Sequence, residues 1–81
     1  MKAKVYISYK DGILDPQGKT VESALDSMGI EGIKDVRIGK YIELSFKNIS
    51  KSDAKSITDE SCRKLLANPN TETFRFKIED E

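Results

Sequence analysis

The amino-acid sequence predicts an α+β fold, a βαββαβ two-layer sandwich in which two helices cover one face of a four-stranded antiparallel sheet. Two observations support this prediction. The chain has 81 residues, which suits a single domain spanning residues 1–81. Its apolar residues alternate with period two in four segments and recur every three or four residues in two others. This order is typical of the ferredoxin-like fold, and with a right-handed crossover after the first strand it favours the strand order 4-1-3-2.

The first strand and the first helix follow from local patterns. Residues 3–9 alternate apolar and polar side chains, as in a half-buried strand. Asp15 is expected to be the N-cap of the first helix, with Pro16 as its first residue and Gly29 just after its end. Between these signals the apolar side chains recur at helical spacing, at Val21, Ala24, Leu25 and Met28.

The segment DVRIGKYIELSFK, residues 35–47, is typical of a β-hairpin. A two-residue turn would mix apolar and polar faces. A three-residue connection from Gly39 to Tyr41 would instead put apolar residues opposite one another and Arg37 opposite Glu43, a favourable charge pair. The sequence therefore predicts an odd-length turn or a bulge at this position.

The second helix is predicted from about Asp53 to Ala67, ended by Asn68-Pro69 because a residue before proline avoids the helical conformation. The last strand is predicted at residues 73–78, with its two phenylalanines and Ile78 on the core side. The inner stripe of the second helix is expected to consist of Ala54, Ile57, Ser61 and Leu65.

Composition excludes several functional classes. The 14 basic and 14 acidic residues give a formal net charge of zero, which argues against a nucleic-acid partner. The chain has no histidine, so histidine-based acid–base and nucleophilic catalysis is excluded, as are most zinc sites. No apolar run approaches the about 20 residues of a membrane span, so no membrane partner is expected. The single cysteine suits a reducing, cytoplasmic location, and a domain this small is expected to gain stability by self-association.

Few residues remain as candidates for chemistry. Cys62 lies in a predicted helix interior and is expected to be a packing residue rather than a nucleophile. The DPQG segment is more ambiguous, because the amides of Gln17 and Gly18 at a helix N-terminus could bind an anion. Gly18-Lys19-Thr20 lacks the upstream glycine of a phosphate-binding loop, however. A capped helix start and a contact with a partner or ligand both stay open.

Three segments together resemble the PurS family. They are LDPQG at Leu14–Gly18, DVRIGKYIEL at Asp35–Leu44, and C-x-K-L-L-A-N-P at Cys62–Pro69. PurS proteins are the small subunits of phosphoribosylformylglycinamidine synthase, an ATP- and glutamine-dependent ligase of de novo purine biosynthesis. The resemblance implies a large synthetase subunit that binds ATP, magnesium and substrate, and a glutaminase subunit that releases ammonia. It also implies a small subunit that bridges the two and self-associates through its sheet edges, as a dimer or tetramer.

The resemblance assigns this chain no catalytic residue, no cofactor and no metal ligand, so the chain is expected to have no active site of its own. Partner contact is expected at motif positions that core packing does not explain: Pro16, Gln17, Gly18, Arg37, Lys40 and Tyr41. The alternative hypothesis is a small ferredoxin-like regulatory module that senses a ligand between subunits.

Overall fold

The structure is a computed structural model that describes residues 1–80. In chain order it contains strand β1 (Lys2–Tyr9), helix α1 (Pro16–Ser27), strand β2 (Lys40–Ser45), helix α2 (Lys51–Ser61) and strand β3 (Glu72–Glu79). A π-helical turn, Cys62–Leu66, continues α2.

The sheet is antiparallel, and β1 lies between β2 and β3. Val5 of β1 faces Ile42 on one side and Phe76 on the other. This arrangement confirms the predicted neighbours of the first strand. The prediction of four strands is wrong for the described residues, because the sheet has three strands and residues 36–38 belong to none of them.

The predicted hairpin fails because its first arm is bound elsewhere. The amide of Ile38 donates to the carboxylate of Asp15, at 2.7 Å, and cannot also join a strand ladder. The Arg37 side chain donates to the carbonyl of Tyr9, at 2.6 Å, rather than lying opposite Glu43. Glu43 instead faces Lys4 of β1. Residues 36–38 are therefore bound on one side to the end of β1, through Arg37, and on the other side to the start of α1, through Ile38.

The core lies between the sheet and α2. Val5 and Ile7 are almost fully buried beneath α2, which packs over β1 and β3. Cys62 is fully buried, which confirms its predicted packing role, and Phe76 packs against the same cluster, as predicted.

The predicted inner stripe of the second helix is wrong, because the buried side of the helix is rotated around its axis relative to the prediction. Ala54 is buried as expected, but Leu65 is 83% exposed, and Thr58 is fully buried in place of the expected Ile57. Thr58 tolerates burial because its hydroxyl donates to the carbonyl of Ala54, at 2.7 Å. The π-helical turn rotates the last residues further, since a wider turn shifts every later side chain around the axis.

Helix α1 has the predicted caps but not the predicted position. Asp15 caps its first turn, and the amides of Gly29 and Ile30 bond back to Asp26 and Leu25, which closes its last turn around a glycine at φ +80°. Among the described residues, however, α1 has no substantial packing against the sheet. The expectation that both helices cover one sheet face is therefore wrong. The radius of gyration, 16.1 Å, reflects this extension, since a compact domain of this length has about 12 Å.

Candidate interaction surfaces

The start of α1 is tied to the segment before β2 by one buried carboxylate. Oδ1 of Asp15 accepts a hydrogen bond from the amide of Gly18, at 2.8 Å, and Oδ2 accepts one from the amide of Ile38, at 2.7 Å. These two bonds, first that from Ile38, hold the pKa of Asp15 below its ordinary value. The sequence leaves open that the Gly18 amide binds an anion. In the structure this amide is bound by Asp15 and is not free to do so, and the DPQG segment forms a capped helix start.

Two glycines let this segment pass close to the rest of the chain. A Cβ on Gly18 would collide with the carbonyl oxygen of Val36, and one on Gly39 would lie 2.5 Å from the carbonyl oxygen of Ile7. Both neighbours are backbone atoms, which cannot move aside as a flexible side chain can. We call Asp15, Gly18, Arg37 and Gly39 the latch, because their contacts hold α1 and residues 36–39 together at the end of β1.

Arg37 belongs to this latch by its own hydrogen bonds. Its Nη2 lies 2.6 Å from the carbonyl oxygen of Tyr9 and 3.4 Å from that of Lys10, and its Nη1 lies 3.6 Å from a carboxylate oxygen of Asp11. The guanidinium thus satisfies carbonyls where β1 ends. Its role in partner contact remains a prediction, but its contacts within the chain are sufficient to explain its place in the motif.

A row of stacked side chains crosses the sheet face that α2 does not cover. The rings of Tyr6 and Tyr41 are 5.2 Å apart between centroids, and the guanidinium of Arg75 lies 4.2 Å from the Tyr6 centroid. The Tyr41 hydroxyl donates to Glu43 at 2.7 Å, which raises the pKa of Tyr41 to about 12 and keeps the phenol neutral. We call this row, with Glu43, the open-face row.

Ion pairs surround the open-face row. Lys2 lies 3.4 Å from Glu43, and Lys4 lies 2.9 Å from Glu79, so acidic and basic groups alternate across the strands. Such exposed pairs add little stability, but they give the face a defined charge pattern. An aromatic centre within a charged rim is the composition of many protein–protein contact surfaces.

The structure divides the six predicted contact residues into two groups. Pro16, Gln17, Gly18 and Arg37 lie at the latch or beside it, and Lys40 and Tyr41 lie at the start of β2. Gly18 is buried, whereas Tyr41 is 51% exposed. Lys40 of β2 forms an ion pair with Glu72 of β3, at 3.5 Å, across the central strand β1. The role of both groups in binding stays a prediction.

Sequence reasoning missed the most exposed apolar surface of the protein. Six large apolar residues between positions 13 and 33 are exposed: Ile13, Leu14, Val21, Met28, Ile30 and Ile33. The sequence signal was present, since α1 is visibly amphipathic. The sequence predicts that this apolar side covers the sheet, which is the usual position of such a side.

Groups able to perform chemistry are few. Burial raises the pKa of the Cys62 thiol, which disfavours the reactive thiolate. Within residues 1–80, no cluster of acidic, cysteine or histidine side chains has the geometry of a metal site. The helices of that region are also too short or too polar to cross a membrane.

Comparison with known proteins gives a consistent family. Residues 2–80 match the family model described as PurS: Phosphoribosylformylglycinamidine (FGAM) synthase. The chain is 47% identical to the phosphoribosylformylglycinamidine synthase subunit PurS of Bacillus subtilis, over 98% of this chain and 93% of that protein.

Solved structures agree with this match. The PurS structure from Methanocaldococcus jannaschii superposes with a TM-score of 0.88 at 35% identity, covering 99% of this chain and 96% of that chain. A chain in the structure of PurLQS from Thermotoga maritima superposes with a TM-score of 0.85 at 30% identity, covering 94% of this chain and 93% of that chain.

Proposed function

Because the chain belongs to the PurS family of subunits of phosphoribosylformylglycinamidine synthase, an enzyme of purine biosynthesis, we propose that it is the non-catalytic subunit that bridges a synthetase and a glutaminase. In this role it holds two active sites in register, so that ammonia released at one is used at the other before it escapes to water. The observation that carries the proposal is the close match to a chain of the PurLQS structure.

The chemistry of the chain supports a bridging role. A glutaminase needs an activated nucleophile, and Cys62 is fully buried in a chain that has no histidine to activate it. We therefore assign ATP, magnesium and glutamine to the partner subunits. We also place the complex in the cytoplasm. The exposed apolar side of α1 supports self-association of this subunit, as a dimer or a tetramer.

Reconstitution tests the proposal. Purified synthetase and glutaminase subunits are assayed for amidine formation with and without this protein, with either glutamine or ammonium chloride as nitrogen source. We expect the glutamine-dependent rate to fall by at least about tenfold, or roughly 1.4 kcal/mol in barrier, when this protein is omitted. The ammonium-dependent rate reports the synthetase chemistry itself and should fall less. Equal glutamine-dependent rates with and without the protein would overturn the proposed function.

We further propose that the open-face row contacts a partner subunit. Tyr41 is the most exposed aromatic residue of that row, and buried tyrosines commonly dominate binding energies at interfaces. Tyr41→Ala is expected to weaken complex formation by about tenfold or more, which co-elution with both partners would detect. Lys55→Ala, at an exposed position of α2, is the matched control.

Tyr41 suits this test better than Arg37, because Arg37 holds its own chain together and its loss would disturb the latch. Unchanged melting temperatures of both variants would show that the fold is intact. Full co-elution of a folded Tyr41→Ala variant would contradict the assignment of the open-face row to partner binding.

A further inference from the structure

The strands place an excess of basic side chains on the sheet face that α2 does not cover. Residues opposite one another in neighbouring strands share a face, so the register with β1 assigns six charged residues to this one. Four are basic and two are acidic: Lys2, Lys4, Arg75 and Lys77, with Glu43 and Glu79. Both acidic groups already form ion pairs within the chain, Glu43 with Lys2 and Glu79 with Lys4. The two remaining positive charges, Arg75 and Lys77, lie on β3, and we call them the β3 cations.

Arg75 is ordered by a contact within its own face. Its guanidinium lies 4.2 Å from the centroid of the Tyr6 ring, which is opposite it on β1. Among residues 1–80, Arg75 forms no ion pair with a carboxylate. A guanidinium already held over a ring loses less conformational entropy when it binds a partner, and its N–H groups match the two oxygens of a carboxylate. Arg75 is therefore positioned to donate hydrogen bonds to a carboxylate of another molecule.

Lys77 lies opposite a residue of the same charge. It faces Lys4 in the register of β1 and β3, and like charges in that arrangement repel each other. The Lys4 ammonium is paired with Glu79, at 2.9 Å, whereas Lys77 is exposed and forms no ion pair in the described part of the chain. Arg75 and Lys77 are two residues apart on β3, or about 7 Å, so two carboxylates of one surface can reach both.

We propose that the β3 cations bind carboxylate side chains on an acidic surface of a partner subunit. The inference rests on the proposed function, and it makes the contact at the open-face row selective for charge. Charge complementarity supports this occupant, because a surface with surplus positive charge attracts an acidic surface and repels one of its own sign. A second copy of this chain would present the same surplus, so the pairing of two such faces is disfavoured.

Charge reversal tests the inference. Lys77→Glu is compared with Lys55→Glu, which makes the same change of net charge at an exposed position of α2. Binding to the mixed synthetase and glutaminase subunits is measured by titration, with ATP, magnesium and glutamine present. We expect the dissociation constant of Lys77→Glu to be at least about tenfold higher than that of Lys55→Glu, because like charges would face each other across the contact. Equal dissociation constants would overturn the inference.

The effect of Lys77→Glu on binding can be separated from an effect on folding. The new carboxylate would lie opposite Lys4, so the melting temperature should be unchanged or slightly raised.

Salt dependence separates charge from shape. Raising the salt from about 0.1 M to about 1 M shortens the Debye length from about 10 Å to about 3 Å. The difference in affinity between Lys77→Glu and Lys55→Glu should therefore shrink at the higher salt concentration. A difference that salt does not reduce would contradict recognition by charge.

Cross-linking of the unaltered protein identifies the groups that meet. A carbodiimide joins a lysine amine to a carboxylate as an amide, with no spacer between them. In the assembled complex, we expect mass spectrometry to find Lys77 joined to an aspartate or glutamate of a partner subunit. Links from Lys77 only to a second copy of this chain, or no links at all, would overturn the inference.

Reconstitution distinguishes failure of this inference from failure of the proposed function. If Lys77→Glu joins the complex as tightly as Lys55→Glu and glutamine-dependent amidine formation still requires this protein, the proposed function stands and the inference is wrong. If the amidine rate is the same with and without the unaltered protein, bridging fails and the inference fails with it.

Discussion

Gly18→Ala is expected to destabilise the protein, although alanine is the better helix former. In an unobstructed helix the change from glycine to alanine stabilises by roughly 0.5–1 kcal/mol. At position 18 the added Cβ would collide with the carbonyl of Val36 and lie 2.9 Å from the Asp15 carboxylate. Overpacking against such fixed atoms costs roughly 1–3 kcal/mol. The steric cost should exceed the helix-propensity gain, so the sign of the usual effect is reversed.

Chemical denaturation measures this change, and Ser23→Ala on the exposed side of the same helix is the matched control. The control should leave the free energy of unfolding unchanged or slightly raised, because Ser23 is exposed and alanine is the better helix former. A Gly18→Ala variant as stable as the control would contradict the close approach of residues 36–38 to α1.

Asp15→Asn is expected to lower the melting temperature by roughly 4–8 °C at neutral pH, the usual scale for loss of one capping interaction in a domain of this size. The carboxylate accepts two amide hydrogen bonds with its two oxygens. The asparagine side chain has one oxygen, so its NH₂ group must face one of the two amide N–H groups. One buried donor is then left without an acceptor, which is the costly case.

The effect should depend on pH with a defined sign. The pKa of Asp15 is lower in the folded protein than its ordinary value of 3.8, because the charged form accepts the Ile38 and Gly18 amides. Its contribution is therefore fully present above about pH 4 and is lost as pH falls through the lowered pKa. Thermal melts at pH 7 and pH 3 should show a smaller difference between Asp15→Asn and the unaltered protein at pH 3. A difference that grows on acidification would refute the assignment.

These two variants also connect the fold to assembly. The latch determines where α1 points, and the exposed apolar side of α1 is the surface that supports self-association in the proposed function. A weakened latch leaves this apolar side intact but lets the helix move, which adds an ordering cost to every association. Both variants are therefore expected to self-associate more weakly than the unaltered protein, and by more than their lower folding stability explains.

Several features follow from the sequence because they depend on neighbours only a few residues away. The caps of α1 at Asp15 and Gly29 are recognisable from residue type and spacing. The alternation that buries Val5 and Ile7 is likewise readable, since a strand places every second side chain on the same face. The motifs that resemble PurS proteins agree with the family match over residues 2–80.

Other features could be determined only from the three-dimensional structure. They depend on which of two possible hydrogen-bond or packing partners a backbone group contacts. The amide of Ile38 could have joined a hairpin ladder, but the Asp15 carboxylate, 23 residues earlier, accepts it instead. Gly18 and Gly39 are ordinary loop or helix glycines in the sequence, and only the crossing of two backbone segments shows why a side chain would not fit there.

The sequence by itself determined the family, the order of most elements and the amphipathic character of α1. Only the tertiary structure decided that α1 stands away from its own sheet. The physical reason is that an apolar stripe such as that of Val21 and Met28 predicts that a helix will be covered, but it contains no information on which surface covers it. That choice depends on the direction in which the latch holds the helix.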